Sequence, residues 1–480
     1  MRVLLIWPHN SESVLNDSLS CCEPLPFEYL AGALRGHHDV VIHDQRLDGS
    51  LSLRAQEEAP GLVGVAVPYT TAVAGALALA REAKSLWPHV PIVLGGHHVT
   101  VSRLWLDDFP ADYVVAGEGG EALNHLANSL EKHTSFRMVP GLAPFHRRSE
   151  VLAPSQMRSL DELPLPDRSI TRQHRRQYFH SIYKPVALVR FSAGCPYRCT
   201  FCILWRLTNQ RYLTKQADRI VRELSQIEVD NVYVVDDEAF IQPKRMLDLA
   251  QAVEGAGIRK KYHMYVRADT AVRNPAVIER WAEIGLDSVL MGAESMEEQD
   301  LLDYQKAAQV SDTRAAMQLF HRLGIKVRAN FIVRPEYTED DFERLSDTVR
   351  ALAVDLPSFA VLTPLPGTVL FEEQRQNLIS NNPDLFDCYH TLLPTRIPLW
   401  RFYDRLACLL ETASNRSSST DGASPGVFYF SNNGAFERMV GTIRGGDKLH
   451  QREWQGNPIS ISERTTPCTA KPATALLQLR

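Results

Sequence analysis

Three cysteines fall within eight residues, Cys195-Pro-Tyr-Arg-Cys199-Thr-Phe-Cys202, directly behind the apolar run at 186–191. A loop that must gather three thiols at the end of a strand leaves the chain few folds to choose from. Three thiolates can hold three irons of a four-iron, four-sulfur cluster and leave the fourth iron open to another ligand. The remaining cysteines, Cys21, Cys22, Cys388, Cys408 and Cys468, are distant in sequence. Structural zinc takes four nitrogen or sulfur ligands, usually in pairs, and no second Cys or His pair follows at that spacing. A disulfide framework does not suit a 480-residue chain with eight cysteines whose N-terminus reads as a first strand and not as a secretory leader.

Strand and helix patterns alternate on both sides of this loop, which predicts an α/β fold. Upstream, strands are expected at 3–7, 40–43, 62–67, 91–94 and 113–115, with helices at 26–34 and 71–86 and another after residue 121. Such alternation implies a doubly wound parallel sheet, whose ligands sit at the carboxyl ends of the strands. Those ends carry Tyr69 and Thr70, then Gly95, Gly96, His97 and Thr100, then Gly117, Glu118 and Gly119. Glycine lets backbone approach a large flat ligand closely. No G-x-G-x-x-G follows the first strand, which argues against a dinucleotide.

Downstream, strands are expected at 186–191, 231–235, 263–266, 288–291, 326–332 and 359–362. Amphipathic helices at 217–226, 244–256, 274–284 and 311–323 lie between them. Six such units fit a partial (β/α)6 barrel, with its chemistry at the strand C-terminal ends. Residues 141–185 read as a proline-rich linker that also carries Arg172, Arg175 and Arg176. Residues 411–480 read as a disordered, low-order C-terminal tail, with a Ser/Gly-rich stretch at 415–426. The expected domains are therefore 1–140, 186–410 and that tail. A formal net charge of −5, from 52 basic and 57 acidic residues, gives no general attraction to nucleic acid. The longest apolar runs are strand-sized, so no integral membrane segment is expected.

The cysteine triad after a strand resembles the signature of the radical S-adenosylmethionine (SAM) enzymes. The glycine-rich upstream sheet resembles the cobalamin-binding domain of one large subclass. The resemblance implies a [4Fe-4S] cluster on Cys195, Cys199 and Cys202, SAM on its open iron, and a bound cobalamin. It implies SAM-binding roles for Phe201 against the adenine and for the loop Asp236, Asp237 and Glu238 facing the amino group. Arg267 is expected to pair with the SAM carboxylate and Glu294 with the ribose. Lys306 is a weaker candidate, since a helix-surface lysine would read the same. The cobalamin contacts implied are Tyr69, Thr70, Gly95, Gly96, His97, Thr100, Gly117, Glu118 and Gly119. One departure stands out: many cobalamin proteins supply an axial histidine from D-x-H-x-x-G, whereas Asp44 to Gly49 carries Arg46 at that position.

Stretches at 331–342, 362–368 and 393–399 are similar to the hopanoid C-3 methylase group. This resemblance implies methylation of an unactivated carbon in a lipid or natural product. One SAM would supply the methyl group through cobalamin, and a second would supply a 5′-deoxyadenosyl radical. No acid–base residue is needed at the reacting carbon, because the cofactors carry the hard chemistry. The resemblance further implies an external electron donor, such as flavodoxin or ferredoxin, and a cytoplasmic setting. Two alternatives stay open: a ring-forming or rearranging enzyme of the same subclass, and a non-enzymatic cobalamin sensor. A methylthiotransferase would need three more upstream cysteines, which Cys21 and Cys22 do not supply.

Overall fold

The computed structural model describes residues 1–9, 20–134, 139–150, 157–181, 183–417 and 435–449. Two six-stranded sheets organise it. The strands in chain order are β1 (Arg2–Trp7), β2 (Ser20–Cys21), β3 (Asp39–Asp44), β4 (Leu62–Ala66), β5 (Ile92–Gly95), β6 (Tyr113–Val115), β7 (Leu142–Pro144) and β8 (Phe179–His180). There follow β9 (Val186–Val189), β10 (Ser192–Ala193), β11 (Leu213–Thr214), β12 (Asn231–Val234), β13 (Lys261–Arg267), β14 (Leu286–Glu294), β15 (Lys326–Val333) and β16 (Leu356–Val361).

The first sheet has the order β3-β1-β4-β5-β6-β7. Its members are parallel except for β7, which runs antiparallel to β6. Strand β1 shows why this sheet forms. Its run Val3 to Ile6 is buried on both faces, as expected when helices cover a parallel sheet on each side. Leu4 and Ile6 enter one apolar cluster with Val63, Val65 and Val73, while Val3 and Leu5 enter another with Phe27 and Leu34. The edge strand β7 lies among residues expected to form a linker. It is three residues long with Pro144 at its end, too short to show a period.

The second sheet, β16-β15-β14-β13-β12-β9, is parallel throughout. All six expected barrel strands are present. Apolar residues on its outer face, such as Val232, Val234, Met264, Met291, Val327 and Ala329, pack under the helices in one large core. That core extends beyond the expected barrel. Helix Leu399–Ser417 crosses residue 411, and Met439, Val440 and Ile443 of helix Ala435–Arg444 pack in the same cluster as Phe402, Leu406 and Leu410. The second helix escapes a sequence reading because it is short and carries only three core residues, Met439, Val440 and Ile443. The rest of the expected tail, 418–434 and 450–480, lies outside the described residues.

The two halves are joined by buried charge. Arg168, in the connecting segment, reaches Glu23 (2.7 Å), Glu28 (3.2 Å) and Glu223 (3.0 Å), and donates to the Leu188 carbonyl of β9 (2.6 Å). Arg175 pairs with Glu23 and Glu28, and Lys215 with Glu223 at 2.5 Å. Three carboxylates thus meet three cations. Burial pushes the Glu28 carboxyl up to about 7 while Arg168 pulls it down. Replacing Arg168 with Met should leave three buried carboxylates with too few cations and cost about 3–5 kcal/mol. Urea unfolding of the variant should show a midpoint well below that of the unmodified chain, and R168K should recover part of the loss.

Candidate active site

Strand β9 leads into the cysteine loop, and the loop is pinned by the acidic end of β12. Asp236, 1% exposed, accepts hydrogen bonds from the Phe191 N–H (2.7 Å) and the Ser192 hydroxyl (2.5 Å). Burial pushes its carboxyl up to about 6, against these hydrogen bonds. Asp237 accepts from the Gly194 N–H at 2.6 Å. Gly194 has φ +88° and lies against the Arg211 carbonyl, so a side chain there has no room. Glu238 accepts from the N–H groups of Arg267 (2.5 Å) and Phe240 (3.2 Å), and burial pushes it up to about 8. The acidic loop, expected to face a ligand amino group, directs these carboxylate bonds to the protein's own backbone and to the Ser192 hydroxyl.

The three thiols are free. Cys199 is buried, while Cys195 and Cys202 are partly accessible. Burial pushes the Cys195 thiol up to about 11 and Cys202 to about 12, so metal binding must displace protons. The Cys199 carbonyl accepts from Trp205 Nε1 (3.2 Å) and the Cys202 N–H (3.1 Å). Thr200 is tied to Tyr304 and to Leu370. Among the described residues no three His, Cys, Asp or Glu groups converge on one ion-sized point. Three unbridged thiols on one pinned loop fit a four-iron, four-sulfur cluster.

Arg267 lies where the barrel mouth meets this loop. Its guanidinium stacks 3.6 Å from the Tyr197 ring centroid. It pairs with Asp269 at 2.9 Å, donates to the Lys306 carbonyl, and places Nη1 4.0 Å from Cys199 Sγ. The fork expected to clamp a carboxylate is therefore spent beside a candidate cluster thiol. Glu294 ends β14 at φ +61°, after a register shift. Its carboxylate pairs with Lys306 Nζ at 2.7 Å and accepts from Asn330 at 3.3 Å. Lys306 is 5% exposed, so it is no helix-surface lysine. Gly292 makes the room, since a Cβ there would overlap the Glu294 carboxylate and approach Lys306 Nζ to 2.8 Å. Phe201 packs edge-on to Tyr304 at 5.5 Å and against Ile332 and Leu362, across the barrel mouth.

The upstream strand ends face this mouth. Glu118, after β6, pairs with Arg190, after β9, at 3.0 Å. His97 is exposed at the start of helix His97–Val101, yet its pKa is lowered by burial among surrounding atoms and then by Arg190, with Glu118 and Asp237 opposing. Its ring therefore stands near Arg190 and Glu118, where the two halves meet. Thr100 donates to the Gly96 carbonyl (2.8 Å) and accepts from the Gly117 N–H (2.9 Å), tying two glycine ends together. Gly96, at φ +121°, would place a Cβ 2.5 Å from the Val67 carbonyl. Gly95 ends β5 and Gly119 packs near Val115 and Leu30, while Tyr69 is 44% exposed. Thr70 turns inward to His98 at 3.2 Å. Arg46 is also spent, on Asp44 and the Cys22 carbonyl. A glycine-lined face opposite the thiol loop fits a large flat ligand. Neither Arg190 nor Asn330 sits in a sequence motif, and only the fold brings them beside Glu118 and Glu294.

A sheet with a glycine-lined edge feeding a parallel half-barrel with a thiol loop defines a two-cofactor radical enzyme. Residues 12–127 match the B12 binding domain family, and residues 189–349 match the radical SAM superfamily. The chain is 30% identical to the hopanoid C-3 methylase of Methylococcus capsulatus over 393 residues, covering 80% of this chain and 75% of that protein. It belongs to the radical SAM superfamily, among members that carry an N-terminal B12-binding domain. It is also 26% identical to the anaerobic magnesium-protoporphyrin IX monomethyl ester cyclase of Cereibacter sphaeroides, covering 79% of this chain and 64% of that protein. The fold matches the cobalamin-dependent SAM radical enzyme OxsB (TM-score 0.68, 18% identity, 94% of this chain and 74% of that chain). It also matches the radical SAM methyltransferase TsrM from Kitasatospora setae (TM-score 0.66, 17% identity, 92% and 99%).

Replacing Lys306 with Met should strand the buried Glu294 carboxylate, a loss of about 3–5 kcal/mol at that pair. SAM affinity, read by equilibrium dialysis, should fall at least tenfold while iron content after reconstitution stays level. Unchanged affinity would remove the pair from the SAM site.

Proposed function

We propose that this protein is a cobalamin-dependent radical SAM C-methyltransferase acting on an unactivated carbon of a lipid or natural product. The observation that carries this reading is the facing of two sites. Glu118, beside the upstream glycines, pairs with Arg190, at the strand that leads into the thiol loop, and the Glu294–Lys306 pair ends β14 of the same barrel. Similarity to a hopanoid methylase over most of both chains supports methyl transfer as the outcome. When bound, SAM with the cluster supplies a hydrogen-abstracting radical, and cobalamin supplies the methyl group. Cys195, Cys199 and Cys202 hold the cluster. Arg267 places positive charge beside Cys199, where the cluster's negative charge resides. Glu294 and Asn330 offer hydrogen-bonding groups to ribose, and Phe201 a face to adenine. His97, Gly96 and Gly117 form the floor for cobalamin, with no imidazole from the Arg46 loop.

None of these side chains needs to move a proton at the reacting carbon. Their work is to position and to exclude water. No described helix is long and apolar enough to cross a membrane. We place the enzyme in the cytoplasm, where a flavodoxin or ferredoxin can deliver the single electron the cluster requires.

The full chain, reconstituted anaerobically with iron, sulfide and hydroxocobalamin, tests this. With SAM and reductant it should release both S-adenosylhomocysteine, from methyl transfer to cobalamin, and 5′-deoxyadenosine. Cys199→Ala should abolish 5′-deoxyadenosine. Release of 5′-deoxyadenosine with no S-adenosylhomocysteine would favour ring formation. Release of neither would favour a cobalamin sensor.

A further inference from the structure

Strand β15 presents alternate residues to two environments. Val327, Ala329 and Phe331 are fully buried in the helix-side core, so Arg328 and Asn330 face the barrel lumen with Lys326. Each polar rung is accounted for except one. At the lower end, Lys326 Nζ pairs with Asp287 at 3.3 Å. At the upper end, Asn330 donates to Glu294. Between them, level with Leu290 of β14, Arg328 makes no hydrogen bond or ion pair with any described residue.

Among the described residues no carboxylate pairs with Arg328, although Asp237 acts on Tyr265 and Asp387 on Tyr389 from further off. The Arg328 charge acts on the phenols of Tyr233, Tyr265 and Tyr389 and on the ring of His180. Burial pushes both His180 and His263 down to about 3, so both rings are neutral. Tyr233, on β12, is 5% exposed, and its hydroxyl lies within reach of the Tyr265 hydroxyl. Its ring lies tilted against His180 at 4.1 Å and edge-on to Tyr265 at 5.6 Å. His263 Nε2 is buried without a partner. The lumen therefore combines aromatic walls and phenol hydroxyls with one guanidinium that has no carboxylate partner among the described residues. A half-buried guanidinium with no carboxylate partner keeps its donors available to a ligand of opposite charge. The guanidinium fork matches the two oxygens of a carboxylate or phosphate.

We propose that Arg328 receives an anionic oxygen group of the substrate, a carboxylate or a phosphate, inside the barrel lumen, with the Tyr233 hydroxyl donating beside it. This rests on the reading that the lumen beneath the candidate SAM pocket takes the methyl acceptor. It narrows that acceptor to an amphipathic molecule, with apolar carbon along the aromatic walls and an anionic group at the β15 rung. A bare hydrocarbon would leave Arg328 uncompensated.

The test is calorimetric titration of the full chain, holding cluster, cobalamin and SAM, with octanoate and phenyl phosphate as anionic probes. Octanamide and benzyl alcohol are their neutral counterparts. The unmodified protein should bind one anionic probe at least tenfold more tightly than its neutral counterpart, and the tighter of the two anions assigns carboxylate or phosphate. R328Q, checked for normal iron content, should lose the preference, R328K should keep part of it, and Y233F should weaken the anion a few-fold. Absence of preference in the unmodified protein, or its survival in R328Q, would overturn the proposal. The first of these needs no variant, so misfolding cannot obscure it. Should S-adenosylhomocysteine and 5′-deoxyadenosine form while the preference is absent, only the Arg328 assignment fails. Should neither form, the methyl-transfer reading fails instead.

Discussion

The architecture depends on a buried six-charge cluster where the two halves meet. Arg168 touches Glu23 and Glu28 from the first half, Glu223 from the barrel, and the backbone of β9. Glu23 in turn accepts the Leu188 N–H at 2.5 Å. Strand β9 is the strand that launches the cysteine loop, so the network sets where the loop starts relative to the upstream sheet. An apolar interface could give equal adhesion, because buried ion clusters seldom surpass well-packed hydrocarbon in net stability. What charge adds here is register. A slip of one residue would leave several buried charges without partners. Two cofactor sites that must face one another need that positional definition more than they need extra stability.

The same principle governs the mouth of the barrel. Carboxylates that look available in the sequence are mostly committed to building the site. Asp236 and Asp237 hold the entry to the thiol loop, and Glu238 holds the turn that presents Arg267. Arg267 itself is flattened on Tyr197 and anchored by Asp269. A rigid loop places three sulfurs with little reorganisation when a cluster assembles. The cost is that few uncommitted polar groups remain: at the ends of β14 and β15, Glu294 is held by Lys306 and Asn330, and Asp300 is held by Ser295 and Arg334.

Much of this was legible in the sequence. Period and length located all six barrel strands, because buried parallel strands read as compact apolar runs between amphipathic helices. The cysteine spacing located the loop. What stayed hidden depends on long-range contact. Lys306 follows a helix and reads as a surface lysine until Gly292 and Glu294 are brought beside it. Asp236 reads as a ligand until the Phe191 N–H is seen to need an acceptor. Strand β7 and helix Ala435–Arg444 are too short to carry a period, and they form because an existing sheet edge and an existing apolar groove accept them. Thr70 and His98 versus His97 make the same point at one turn. Adjacent residues of similar chemistry divide between the core and the junction of the two halves, and only the fold tells them apart.

The distribution of positive charge ties these observations to specificity. Arg190 is matched by Glu118, Arg267 by Asp269, Lys306 by Glu294 and Lys326 by Asp287. Each site-facing cation on the barrel strands and their loops named here has its own carboxylate except Arg328. A protein can carry an uncompensated charge in a confined space when a ligand completes it, and the ligand is then selected by charge as well as by shape. Radical chemistry makes such selection valuable. A hydrogen-abstracting radical discriminates poorly among similar C–H bonds, so the choice of carbon must come from how the substrate is held. An anionic group fixed at Arg328, two residues along β15 from the Asn330 that contacts Glu294, would set the distance from that anchor to the reacting carbon. On this view the lumen acts as a ruler, and the fixed rungs of β15 are its marks.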